Sequence, residues 1–166
     1  ITTVIEQARE IEQVNERYQL AATATQDLIY DWDLTSDEVT RFHRGLKELF
    51  GYPADVLNKK DFWKKNIHPE DEPIERKKLR DAIGNPHEDF IKTEYRFKKA
   101  DGSYARVVDR GYILRDHTGK AQRLIGATSD ISELTEKREA LKVANKRFRM
   151  AMKATNEMIW DWEIAT

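Results

Sequence analysis

The last 22 residues of this chain repeat an earlier stretch of it, and that self-similarity constrains the fold more than any other feature. Asn15 to Ser36, NERYQLAATATQDLIYDWDLTS, aligns without gaps on Asn145 to Thr166, NKRFRMAMKATNEMIWDWEIAT, at an offset of 130 residues. Eight of the 22 positions are identical, where chance gives about one or two. Among them are Ala21/Ala151, Thr25/Thr155, Ile29/Ile159, Asp31/Asp161 and Trp32/Trp162. The chain is therefore expected to hold one whole unit and the opening of a second, as a piece cut from a tandem array that begins at Ile1 rather than Met.

A helix is expected at each joint of the repeat. Val4, Ile11, Val14, Tyr18 and Ala21 recur at spacings of seven, three, four and three, and Leu134, Leu141, Ala144, Phe148 and Ala151 stand at the same places 130 residues on. Such spacing marks an amphipathic helix or a short coiled-coil seam. Packing on the helix's own domain and pairing with a second copy both stand as readings of the stripe. The organisation predicted is a helix over 1–26, a globular domain over 27–131, a linker helix over 132–158 and the start of a second unit over 159–166.

Between the helices the pattern changes to strands. Leu28 to Leu34 alternates well enough for a first strand, Thr35-Ser36-Asp37 for a turn, and Glu38 to Phe42 for a second strand. Leu46 to Phe50 reads as a single helical turn stopped by Gly51, with Pro53 just beyond. His68-Pro69-Glu70-Asp71 reads as a helix start with Pro at the first helical position and acids in the first turn, running on to Ile83 and Gly84. Strands then follow over Asp89 to Lys98, Tyr104 to Arg115 and Ala121 to Asp130, joined by the turns Ala100-Asp101-Gly102 and His117-Thr118-Gly119. Asp130-Ile131-Ser132-Glu133 opens the second helix. Strand groups without strand-helix-strand alternation imply an antiparallel sheet in an α+β domain.

Composition removes several functions. With 29 Lys and Arg against 30 Asp and Glu the net charge is -1, so no overall field draws the chain to nucleic acid or an anionic membrane. The basic clusters Lys59-Lys60, Lys64-Lys65 and Arg76-Lys77-Lys78 with Arg80 are interspersed with Glu70, Asp71, Glu72 and Glu75, the pattern of a solvated mixed face. No apolar run is long enough to span a bilayer. The absence of cysteine excludes thiolate catalysis, iron–sulfur clusters and a flavin–cysteine adduct. No nucleophile elbow, P-loop or zinc-protease helix is present, and the chain is not read as an enzyme.

From Leu28 to about Glu136 the chain resembles a PAS domain, in the subgroup with a His-Pro-x-Asp turn. The resemblance rests on Tyr30-Asp31-Trp32-Asp33, Leu49-Phe50-Gly51-Tyr52, Trp63 to Asp71, Glu94-Tyr95-Arg96, Asp101-Gly102-Ser103-Tyr104, Asp109-Arg110-Gly111 and Gly126 to Ser132, in order and correctly spaced. It departs from the family where Arg106 replaces a customary Trp and where Ser132 replaces Thr.

The resemblance implies a five-stranded antiparallel sheet in the order 2-1-5-4-3, helices cupping one face, and amphipathic helices on both sides of the domain. It implies a cytoplasmic signal-input module of a multi-domain protein. A sensor histidine kinase is the first expectation for the parent; a cyclic-dinucleotide enzyme, a ligand-free dimerisation module and a haem or flavin redox sensor are the alternatives. Homodimerisation through the flanking helices, a neighbouring repeat and a downstream output domain are the partners implied, with no nucleic acid or direct membrane contact. Signal relay falls on Asp130, Arg96, Ile131 and Ser132, with Asp130 expected to pair with Arg96. The candidate ligand pocket comprises Trp32, Phe50, Trp63, Ile83, Phe97, Arg106 and Gly126, for Arg106 as a stem on the sheet with a solvated or paired head, or as the holder of an anionic ligand. An unknown small molecule, or none, is the expected occupant. The alternatives are haem, with His43, His68, His87 or His117 as axial ligand, and flavin against the aromatic rings.

Overall fold

Two kinds of backbone signal, alternation in the strands and glycine-assisted turns, account for the sheet in the computed structural model, which describes residues 2–59 and 61–164. The chain divides into two units, Ile1–Ile131 and Ser132–Thr166. In the first, helix α1 (Thr2–Thr25) precedes strands β1 (Leu28–Asp33) and β2 (Glu38–Arg41), helix α2 (His43–Phe50), a short 3-10 turn (Ala54–Asn58), helices α3 (Phe62–Asn66) and α4 (Glu72–Gly84), and strands β3 (Phe90–Lys98), β4 (Tyr104–Arg115) and β5 (Ala121–Asp130). The strands form one antiparallel sheet in the order β2-β1-β5-β4-β3. The second unit is helix α5 (Ser132–Ile164).

Three turns are built by the same local device, an Asp whose carboxylate folds back on a Ser or Thr two residues later. Asp33 Oδ1 accepts from the Thr35 N–H at 2.8 Å and hydroxyl at 2.6 Å. Asp101 does so with Ser103, and Asp116 with Thr118. Gly102 and Gly119 supply the positive φ, 88° and 86°, that closes the two long hairpins.

On the inner face, alternate residues of β3 and β4 point the same way: Thr93, Tyr95 and Phe97 from one, Ala105, Val107 and Ile113 from the other are buried. Phe50 and Phe97, both fully buried, lie 4.8 Å apart between ring centroids, and Trp63 stacks on Phe97 at 4.1 Å. Leu28, Leu46, Phe62, Tyr95, Ala105 and Val107 complete this larger core cluster, while Ala82, Ile113, Ala121 and Leu124 form a second one.

The helix expected to start at Pro69 begins later. Residues 68–71 form a turn, Asp71 takes the N-cap position, and the proline in the first helical turn is Pro73. That turn covers the edge of β3 at Arg96: the His68 N–H donates to the Arg96 carbonyl at 2.9 Å, and the Arg96 N–H donates to Asp71 Oδ2 at 2.9 Å. An uncovered edge strand invites pairing with another chain, and at Arg96 this edge is met by its own chain.

The backbone of residues 159–164 is helical as part of α5, although Ile159 to Thr166 matches the strand opening at Ile29. Ala165 and Thr166 lie outside the described residues. In α1 the stripe residues Val4, Ile11 and Val14 are 62–68% exposed and do not pack on a domain. In α5 Leu134, Leu141 and Phe148 are exposed as well; the side chain of Tyr18 lies outside the described residues. Among the described residues no helix is long and apolar enough to cross a membrane.

Candidate functional site

A cavity of about 940 Å³ opens on the inner face of the sheet, lined from β1, β2, α3, α4, β3, β4 and β5. Its floor is polar. β4 alternates Ala105, Val107, Asp109, Gly111 and Ile113 on the inner face, which places one carboxylate in an otherwise apolar register. Tyr30 donates its hydroxyl to Asp109 Oδ1 at 2.8 Å, and Tyr95 donates to Oδ2 at 3.0 Å. Thr128 reaches the same oxygen at 3.4 Å, and Trp63 Nε1 donates to the Tyr95 hydroxyl at 2.9 Å.

Burial pushes the Asp109 carboxyl up to about 6, against the downward pull of these three hydroxyls and of the nearby Arg41 guanidinium. Burial also pushes the Tyr30 and Tyr95 hydroxyls up, with the Asp109 charge adding to it. The Arg41 guanidinium lies over the Trp63 ring, 5.0 Å from its centroid. Burial lowers its pKa, and Tyr95, Asp109 and Tyr30 act against that. Among the described residues Arg41 makes no side-chain hydrogen bond or ion pair.

The Tyr30 ring lies over two glycines. A Cβ on Gly126 would stand 2.7 Å from the Arg110 carbonyl oxygen and run into the Tyr30 ring, and one on Gly111 would meet Leu124 at 2.8 Å and the Tyr30 hydroxyl at 3.1 Å. These glycines leave the room that lets Tyr30 reach Asp109.

The opposite wall is α4, whose inward stripe reads Glu72, Glu75, Leu79 and Ala82. Glu75 is 8% exposed; Lys78 holds its Oε1 at 2.8 Å, and its Oε2 has no hydrogen-bond partner. Glu72 Oε1 also lacks one, with Arg76 Nε in ion-pair contact at 3.5 Å.

Of the residues expected to form the pocket, Trp32 and Trp63 line the cavity. Phe50 and Phe97 are fully buried in the larger core cluster, and Ile83 packs on the second. Gly126 lies beneath Tyr30. Arg106 is exposed and falls on the alternate face of β4 from Asp109, because side chains one and three residues apart in a strand point oppositely. Arg96 gives its guanidinium to Asp71 and Glu70, so the expected pair with Asp130 is replaced by one with the 70–71 turn. Asp130 ends β5 opposite Val107, and the Ile131 N–H donates to the Arg106 carbonyl at 2.8 Å. Ser132 then starts α5.

His68 packs on Tyr104 at 4.8 Å, and His87 and His117 sit in turns; none of the three lines the cavity. The side chain of His43 lies outside the described residues. In α4 the basic cluster is paired: Lys77 with Asp81, Lys78 with Glu75, Arg76 with Glu72.

Asp109, Tyr30, Tyr95, Arg41, Glu72 and Glu75 are site residues the sequence reading did not single out. Their signal was registry: an acid or phenol at a position whose strand or helix neighbours on the same face are apolar.

Comparison with known proteins agrees with this architecture. The family described as PAS fold matches residues 39–128. A probable diguanylate cyclase, DgcE of Escherichia coli (strain K12), is 25% identical over 160 residues, which is 93% of this chain and 14% of that protein. The chain thus spans about one seventh of the curated relative. A sensory box histidine kinase/response regulator from Burkholderia thailandensis E264 superposes with a TM-score of 0.62 at 22% identity, over 80% of this chain and 98% of that one. The N-terminal domain of a diguanylate cyclase with PAS/PAC sensor from Marinobacter aquaeolei gives 0.57 at 22% identity, over 66% and 98%.

Proposed function

This chain belongs to the PAS fold family, and we propose that it is the signal-input domain of a longer signalling protein, reading a small molecule in the cavity and passing its occupancy on through α5. The observation that carries this reading is the cavity itself: about 940 Å³ with a buried carboxylate, two phenols and an arginine in its polar lining, within the size range of small-molecule sites. One residue, Ile131, separates the last strand of that sheet from a 33-residue helix. A shift in β5 therefore has a short covalent route to whatever follows, and such helices switch between discrete packings.

The output is a histidine kinase or a diguanylate cyclase, and the relatives support the two equally. The exposed stripes of α1 and α5 support a second copy of the chain as partner, since apolar side chains repeating at heptad spacing bury one another in a parallel pair. The arrangement proposed is a homodimer through these helices, in a parent that works in the cytoplasm.

The test uses the full-length parent. A one-residue insertion after Lys142 turns everything beyond it by about 100°. Autophosphorylation from ATP or synthesis of cyclic di-GMP is then measured, as is Asp130→Ala beside it. Both variants are expected to change the output without changing ligand binding. Output indistinguishable from wild type in both would sink the proposal.

A further inference from the structure

We infer that the cavity takes the carboxylate of a small organic acid, held by the Arg41 guanidinium beside Trp63. This rests on reading the cavity as the ligand site and names the chemistry of its occupant.

The register of the sheet puts Arg41 there. It stands directly opposite Tyr30 in the β1–β2 pair, and residues opposite one another in an antiparallel pair project from the same face. Tyr30 points inward to Asp109, so Arg41 points inward as well, and both line the cavity. Its guanidinium carbon lies 5.0 Å from the centroid of the Trp63 ring, which in turn stacks on the buried Phe97. A ring face attracts the cation but offers no oxygen to its five N–H groups. Of the charged residues lining the cavity, Arg41, Glu72, Glu75 and Asp109 are buried or half-buried. The three acids are engaged, Glu72 by Arg76, Glu75 by Lys78, and Asp109 by the hydroxyls of Tyr30, Tyr95 and Thr128. Asp109 acts on the Arg41 charge from beyond ion-pair distance, with its oxygens given to those hydroxyls. Arg41 is thus the member of this set that has neither a hydrogen-bond nor an ion-pair partner among the described residues. Burial lowers its pKa, as it does for a cation short of water.

Donors withdrawn from water and left without acceptors cost free energy, and a carboxylate supplies two acceptors whose geometry matches the guanidinium fork. A phosphate fits less well, since its second negative charge would meet Asp109, Glu72 and Glu75 with Arg41 alone to offset them. The rest of the wall suits an apolar body: Trp32, Leu79, Ile91 and Leu124 line the same cavity, and small-molecule sites set a few polar groups in an apolar lining.

Calorimetric titration of the chain at pH 7 with 3-phenylpropionate, hexanoate and indole-3-acetate tests the inference, with 3-phenylpropanamide as the neutral isostere of the first and phenyl phosphate as the dianion. At least one acid is expected to bind saturably, at least tenfold more tightly than the amide or the phosphate, and at least tenfold more weakly to Arg41→Gln. Circular dichroism and the urea midpoint check that this variant folds. Backbone amide shifts of the wild-type chain during the same titration are expected to centre on β2 and Trp63, a readout independent of any variant. The inference is overturned by the absence of saturable binding for all three acids, by equal or higher affinity for the amide or the phosphate, by undiminished binding to the folded variant, or by shifts confined to other elements. A neutral or cationic compound that fills the cavity and alters the parent's output, where none of the acids binds, would overturn the carboxylate and leave signal input standing.

Discussion

Asp71 receives three hydrogen bonds from Arg96, from the backbone N–H and Nε at 2.9 Å and from Nη2 at 2.7 Å. The Arg96 hydrogen bonds hold its carboxyl down to about 2, against the upward push of burial. A carboxyl depressed in the folded state adds stability above its unfolded value near 4, and that contribution is lost as pH falls through about 2. Because the Arg96 side chain is 37% exposed, solvent screening reduces the contribution to about 1–2 kcal/mol. Asp71→Ala is expected to lower stability by about that much at pH 7, with the gap to wild type closing as urea titrations approach pH 2. A gap that stays constant with pH would contradict the assignment.

Asp109 has the opposite sign. Its folded value near 6 lies above the unfolded one, so its contribution is fully present below about pH 4 and lost as pH rises through 6. Two pKa units amount to about 3 kcal/mol. Asp109→Asn removes that titration while keeping an acceptor for Tyr30. Relative to wild type, the variant is expected to gain stability between pH 4.5 and 7.5 in urea titrations. A pH-independent difference would show that Asp109 is charged throughout.

Arg115 closes off the end of α4. Its side chain is 9% exposed, and it donates to the carbonyls of Ala82, Ile83, Asn85, Glu88 and Gly119 as well as to Asp89. Arg115→Ala leaves several of these acceptors without a donor and is expected to cost about 3 kcal/mol or more. Arg115→Lys recovers little, since an ammonium cannot reproduce the planar fork. Thermal denaturation of the two variants decides this; a lysine variant as stable as wild type would mean that charge alone suffices.

The apolar stripes give a fourth expectation. Ile11 and Phe148 are 62% and 66% exposed, so Ile11→Glu with Phe148→Glu leaves the folded domain's stability unchanged. Sedimentation equilibrium is expected to show a wild-type dimer and a monomeric double variant. A wild-type monomer at all concentrations would remove the proposed seam.

The sheet was legible because its turns are written in local chemistry. Tyr104–Arg115 and Ala121–Asp130 have the ends the alternation predicts, fixed by Gly102 and Gly119. The helix start was misplaced because His68-Pro69-Glu70-Asp71 has the composition of a helical first turn, and only the tertiary bond to Arg96 makes it an edge cover instead. The 3-10 turn and α3, five residues each, are too short to show a period. The cavity was only half legible: aromatic residues announce an interior but not which of them plug it. Phe50 and Phe97 fill space that Trp32 and Trp63 border, and that division depends on how helices lie on the sheet.

Helix α4 is pinned near both ends, by Asp71 to the β3 edge and by Arg115 to the β4–β5 hairpin, with Glu72, Glu75 and Leu79 spanning the interval. A beam clamped at two abutments can bow but cannot swing like a door. Under the proposed function, an occupant too bulky for the small deflection of that span would be refused whatever the chemistry of its surface, so the two clamps would set a limit of size.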